Sequence, residues 1–165
     1  EGQVMTVFIR GKDAFSFAFT QYTDTVYRVA VHNTRCKSDA EDITQEVFVK
    51  LLESSKKFKD GEHLKAWLIR VTINECRTLM RKYSRETEQS AEIADCAVYD
   101  GDSVLEAVKA LPENYRNAIY LHYYEGYTAK EIGKILDSKE NTVLSWLSRG
   151  RAALRKEMIG GFEDE

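Results

Sequence analysis

Proline is nearly missing from this chain of 165 residues: Pro112 is the only one, and glycine occurs 9 times. Both residues interrupt helices, so their scarcity makes an all-α fold the first expectation. Cysteine is sparse too. Cys36, Cys76 and Cys96 are odd in number, widely spaced and without a C-x-x-C pair. That speaks against a disulfide framework or a closed zinc site and fits reduced thiols. His32 and Cys36 stand four apart, which on a helix puts two metal-ligand types on one face, but two ligands without partners do not close a tetrahedral site. No apolar run approaches the ~20 residues that span a bilayer. The opening EGQVMTVFIRGKD has no signal-peptide core. The expectation is a cytoplasmic protein without membrane insertion. Also missing are a nucleophile–base pair, a phosphate loop and a metal cluster, so neither enzymatic activity nor a cofactor is expected.

What is present suffices for a packed core: 43% of residues are hydrophobic and 31% charged. The net charge of -3 argues, as a mean, against a plain nucleic-acid binder. The charges are segregated, however. Apolar residues recur at helical spacing from Lys12 to about Arg35, through Phe15, Phe19, Tyr22, Val26 and Val29 or Ala30. Ser38-Asp-Ala-Glu41 reads as a capping box that opens a second helix, with Ile43, Val47, Phe48 and Leu51 as its buried stripe. Residues 58–63 read as a loop. A third helix follows to Tyr83, with Leu64, Trp67, Leu68, Val71 and Leu79 on its apolar face. From Glu86 to Asp102 there is no Lys or Arg, which predicts an acidic linker over 84–102. Helices resume at Ser103, break at Leu111-Pro112, and end at Glu125-Gly126. Thr128-Ala-Lys-Glu131 is another capping box. It opens a short helix to Leu136, and a long helix runs from about Glu140 to Met158. The expected organisation is two small helical domains, 12–83 and 103–158, joined by that linker.

Three constellations carry chemistry. The first is the short helix, tight turn and long helix over 128–154, which match helix-turn-helix geometry. Val143, Leu147, Gly150 and Leu154 form a stripe that would pack on Ile132 and Ile135. The opposite face offers Asn141, Ser145, Ser148, Arg149 and Arg155 to base edges and phosphates. A helical hairpin with a solvated basic face would show the same periodicity. The second is a ridge of Arg70, Asn74, Arg77 and Arg81 on the third helix, flanked by Lys65, Lys82 and Arg85. Guanidiniums with an amide suit a nucleic-acid backbone and exposed bases, and a face kept basic for solubility is the plainer alternative. The third is an acidic stripe on the second helix: Asp39, Asp42 and Glu46, with Gln45 beside them. It repels DNA and invites a basic protein. One domain with an acidic and a basic ridge suits a bridge between a protein and a nucleic acid.

In this order, the three constellations resemble the extracytoplasmic-function (ECF) group of bacterial sigma factors. SDAEDITQEVFVKLL is similar to the helix that docks on the beta-prime clamp helices of RNA polymerase. FKDGEHLKAWLIRVTINECRTLMRK is similar to the segment that melts and reads the downstream promoter element. LPENYRNAIYLHYYEGYTAKEIGKILDSKENTVLSWLSRGRAALRK is similar to the helix-turn-helix region that reads the upstream element. The resemblance implies polymerase-facing roles for Asp39, Asp42, Gln45 and Glu46. It implies single-strand contacts for Arg70, Asn74, Arg77 and Arg81, with Phe58, Lys59, Asp60, Gly61, Glu62 and His63 holding a flipped base. It implies upstream-duplex contacts for Glu140, Asn141, Thr142, Ser145 and Arg149. The implied partners are core RNA polymerase, through its clamp helices and beta flap, promoter DNA, and an anti-sigma protein. The implied function is that of an alternative sigma factor.

The chain also departs from the family's pattern. Ser138 stands where an apolar turn residue is usual, and Asn141, Leu144 and Trp146 stand where Gly, Lys and Arg are usual. Two cations are thereby missing from the recognition helix, which would flatten the salt dependence of binding by roughly one unit per lost phosphate contact. Two other functions fit parts of the chain. A helix-turn-helix regulator that is not a polymerase subunit accounts for the second half alone, and would bind duplex tightly by itself. A helical protein-interaction adaptor accounts for Leu144 and Trp146, and would show no salt-dependent DNA affinity.

Overall fold

A computed structural model of the chain describes residues 11–89 and 103–160. The expected lead-in, the expected linker from residue 90 onward and the last five residues lie outside the described residues. Two compact units are present, one carrying the first three helices and the other the last four. Among the described residues every regular element is a helix.

In the first unit α1 spans Gly11–Asn33, α2 spans Lys37–Glu53 and α3 spans Gly61–Gln89. The three pack pairwise around Val26, Val29, Val47, Phe48, Leu51, Leu64, Leu68 and Ile69. Full burial of each such aliphatic side chain contributes roughly 1.5–3 kcal/mol. The buried edge of α1 differs from the expected stripe near its start. Ala14 and Ala18 are the residues with no exposure there. Phe15 and Phe19 stack on each other at the rim, and both meet Phe48 edge-on. Small residues let helix backbones approach, so the rings are displaced outward.

The expected capping box at Ser38 does not form. Cys36 is the N-cap residue, in extended conformation, and caps through no side-chain bond. The helix therefore begins two residues too early for Ser38 to cap it. Cys36 is also disulfide-bonded, against the expectation of reduced thiols, while Cys76 is a buried residue of the core. Sequence spacing carries no information on whether two sulfurs meet in space. The third helix continues six residues beyond Tyr83, into the stretch expected to be linker. Glu and Gln propagate a helix well, and Lys82 lies 3.9 Å from Glu86 one turn on.

In the second unit α4 spans Ser103–Ala110, α5 Glu113–Tyr123, α6 Ala129–Ile135 and α7 Glu140–Gly160. Pro112 is the N-cap residue of α5. The Arg116 guanidinium donates to the carbonyls of Lys109 and Leu111, at 3.2 and 3.1 Å, and so satisfies orphan groups at the end of α4. Gly126 takes a φ of +77°, which a side chain would strain, and ends the segment after α5. Ile119, Leu121, Ile132, Ile135, Val143 and Leu147 make the core.

Candidate nucleic-acid interface

Asp42, Gln45 and Glu46 are exposed on one side of α2. The spacing that shares their face continues to Val49 and Leu52, which are exposed apolar residues. The sequence reading missed these two because an apolar residue in an amphipathic helix is assigned to the core by default. Asp39 does not belong to the exposed stripe. It is 7% exposed, and its Oδ1 accepts a 2.7 Å hydrogen bond from the Tyr83 hydroxyl of α3. Its Oδ2 lies 3.8 Å from Arg35 Nε, and the Arg35 guanidinium covers the Tyr83 ring at 3.4 Å. Asp39 thus faces inward, toward a partner 44 residues away in the chain.

On α3, Arg70, Asn74, Arg77 and Arg81 are all exposed. The opposite face buries Leu64, Leu68, Ile69, Thr72, Ile73 and Cys76. The expected apolar stripe is therefore rotated: Trp67, Val71 and Leu79 are only half-buried. Trp67 sits three and seven residues before Arg70 and Asn74, so it flanks the cationic ridge. Its indole meets the Phe58 ring edge-on at 5.4 Å. The acid nearest the ridge in sequence, Glu75, is turned to α2, where Lys50 Nζ lies 3.0 Å from its Oε1. That bond raises the Lys50 ammonium above its ordinary pKa.

Residues 58–63 are a built corner and not an open cup. Phe58 is 1% exposed and belongs to the core. The Lys59 amide donates to His63 Nδ1 at 3.1 Å, and the His63 amide donates to Asp60 Oδ1 at 2.8 Å. Asp60 thereby caps the start of α3, and Gly61 is already the helix's first residue. A Cβ at Gly61 would stand 2.8 Å from the Tyr22 hydroxyl. Burial, and then the charges of Glu62 and Asp60, raise the Tyr22 phenol above its usual pKa. Lys59, Asp60 and Glu62 are exposed, while Phe58 and Gly61 are committed to packing.

The second unit contains the helix–turn–helix. Thr128 Oγ1 accepts from the Glu131 amide, and Glu131 accepts from the Thr128 amide, at 3.2 and 2.8 Å. These bonds hold the Glu131 carboxyl below its ordinary range. The turn bends through Asp137 in the left-handed region, with φ 54°. Val143, Leu147 and Gly150 are buried as expected; Leu154 is half-buried. A Cβ on Gly150 would stand 2.8 Å from Ile119, so glycine lets α7 approach α5. The face away from this core exposes Glu140, Asn141, Thr142, Ser145, Ser148 and Arg149. Leu144 is 48% exposed on the same helix, and Trp146 is half-buried.

Comparison with known proteins bears on both units. Residues 18–86 match the model of sigma-70 region 2, and residues 101–154 match that of sigma-70 region 4. Together the matches take in about three quarters of the chain. The chain belongs to the ECF group of RNA polymerase sigma factors. It is similar to the ECF sigma factor SigW of Bacillus subtilis, at 28% identity over 89% of this chain and 90% of that protein. It is 33% identical to the ECF sigma factor SigE of Mycolicibacterium smegmatis over 82% of this chain, and spans 58% of that protein's length. The fold is that of the sigma factor RpoE of Bartonella quintana, solved with the anti-sigma factor NepR: the TM-score is 0.73, with 24% identity, over 86% of this chain and 94% of the other. The protein is an alternative sigma factor, so it serves core RNA polymerase and promoter DNA. A region 2 match is unexplained by a free-standing regulator or an adaptor. No helix among the described residues is long and apolar enough to cross a membrane.

Proposed function

We propose that the exposed part of α2 docks this factor on polymerase and that the exposed ridge of α3 captures the unwound promoter strand. Asp42, Gln45 and Glu46, continued by Val49 and Leu52, make the docking face; Asp39 is not part of it. Arg70, Asn74, Arg77 and Arg81 receive the strand, with Lys59, Asp60, Glu62 and His63 at the end of the ridge. Glu140, Asn141, Thr142, Ser145 and Arg149 approach the upstream duplex. The domain reading is 12–83 for polymerase and downstream element, 103–158 for upstream element, with a connector between. The observation that carries this reading is one helix that buries one side from Leu64 to Cys76 while aligning three guanidiniums and an amide on the other.

Opening a duplex costs a few kcal/mol per unstacked base, and capture of the freed bases and phosphates by the ridge offsets it. The factor's own side chains carry no bond chemistry; RNA synthesis belongs to the polymerase. The work is cytoplasmic, where template and polymerase are. An anti-sigma protein that covers these faces is the expected inhibitor, by analogy with the RpoE–NepR complex.

Reconstitution with core polymerase and a transcribed promoter tests the reading. Charge reversal at Asp42 and Glu46 should weaken core binding. Arg77→Ala with Arg81→Ala should impair opening more than core binding. Unchanged core affinity in the first pair, or equal losses of both functions in the second, would refute the assignment. A gel shift without core enzyme should show little specific duplex binding.

A further inference from the structure

The contact of Arg35, Asp39 and Tyr83 lies on the reverse side of α3 from its cationic ridge. Tyr83 follows Arg81 by two residues and projects about half a turn away from it, given ~100° per residue. Its hydroxyl reaches Asp39 in the first turn of α2, and its ring lies under Arg35 at the α1–α2 corner. Thus the stretch of α3 that ends in Arg77 and Arg81 is tied to the corner of the other two helices by one hydrogen bond and one stacked guanidinium. Beyond Ile73 and Cys76 the helix has no fully buried aliphatic side chain among the described residues, so this polar contact holds the stretch that carries Arg77 and Arg81.

We propose that Arg35, Asp39 and Tyr83 form a positioning brace that sets where Arg77 and Arg81 stand when the promoter strand is captured. The proposal rests on the reading of the ridge as strand reader. It reassigns Asp39: the carboxylate acts through Tyr83 on DNA binding and not on polymerase directly. The chemistry is suited to the task. A hydrogen bond to a charged acceptor is stronger than a neutral one. Burial holds the Tyr83 phenol above its usual pKa, so it remains a donor. The Asp39 charge also sits in the first turn of α2, where the helix dipole favours it.

The test uses holoenzyme and a labelled single-stranded oligonucleotide bearing the non-template downstream element of a promoter the factor transcribes. Strand affinity and core affinity are measured well below the melting temperature, with the fold checked by circular dichroism. Tyr83→Phe keeps the ring under Arg35 and removes the hydroxyl. It should lower strand affinity about three- to tenfold, a fraction of what a charge-assisted bond is worth because the stacked guanidinium still holds the ring, while core affinity stays within twofold. Asp39→Ala should do the same, and Asp39→Asn, which keeps an oxygen acceptor in place but not the charge, should recover part of the loss. A purely structural contact would lower only the melting temperature; unchanged strand affinity in Tyr83→Phe therefore overturns the brace. A larger loss of core affinity than of strand affinity in the Asp39 variants also overturns it, in favour of a direct polymerase contact. Arg77→Ala with Arg81→Ala serves as the reference: if that variant binds the strand normally, the ridge reading itself falls, and the brace with it.

Discussion

Replacing Gly133 by alanine opposes two effects whose sizes can be compared. Gly133 lies inside α6, where alanine is favoured over glycine by roughly 1 kcal/mol. In most helices the substitution would stabilise. Here a Cβ would stand 2.5 Å from the backbone carbonyl oxygen of Ser138. Backbone cannot swing aside as a flexible side chain can, so the turn between α6 and α7 must open by a large fraction of an ångström. That movement strains the Ser138 amide's 2.8 Å hydrogen bond to the Gly133 carbonyl, worth about 1 kcal/mol net. Overpacking adds about 1–3 kcal/mol. The sum favours net destabilisation of about 1–3 kcal/mol. For a unit of this size each kcal/mol moves the transition by about 4–8 °C. Thermal unfolding followed by circular dichroism, with hydrogen exchange to assign the change to α6 and α7, should show a loss of at least ~5 °C. Upstream promoter binding by holoenzyme should fall as well, because the turn sets the angle at which α7 meets the groove. A melting temperature at or above that of the wild type would refute the reasoning, since it would mean that the turn is not held against Gly133.

Thr128→Ala removes the acceptor for the Glu131 amide and should cost about 1 kcal/mol, read by denaturant unfolding. The Glu131 share of that cap has a definite pH dependence. Its carboxyl is depressed below the ordinary 4.5, so its contribution is complete above that value and is lost as pH falls through the lowered one; the gap between wild type and Glu131→Gln should close under acid. Burial, and then the Arg116 charge, push Lys109 down from 10.5 to about 8. The charged form is therefore disfavoured by folding below about 8, and the penalty is relieved as pH rises toward 10.5. Lys109→Met should accordingly stabilise the second unit at pH 7, by less than about 1 kcal/mol because half the side chain is solvated, and the gain should vanish above pH 10.

Strong periodicity made the helices legible, and local chemistry made one cap legible: Thr128 and Glu131 lie three apart and bond within a single turn. The exposed face of α7 was equally readable, since Val143, Leu147 and Gly150 define the opposite side. Asp39 was not readable as an inward residue, because its partner Tyr83 is 44 positions away and nothing local distinguishes it from Asp42. The apolar face of α3 was misjudged by part of a turn because Trp67, Leu68 and Ile69 are consecutive apolar residues. Only contact with α1 and α2 decides that Leu68 and Ile69 are buried while Trp67 remains half-exposed beside Arg70. Phe58 read as loop because it lies between charged residues, whereas its ring fills the corner at the start of α3.

The order of residues alone determined which segments coil, which charges share a helix face, and that the two halves differ in chemistry, because all three follow from spacing along a 3.6-residue period. Tertiary structure alone decided which of the acids look outward, which aromatics fill the core and how tightly the turn after Gly133 is drawn. Those outcomes depend on atoms from distant segments competing for the same volume and the same hydrogen-bonding groups, and no local pattern records that competition.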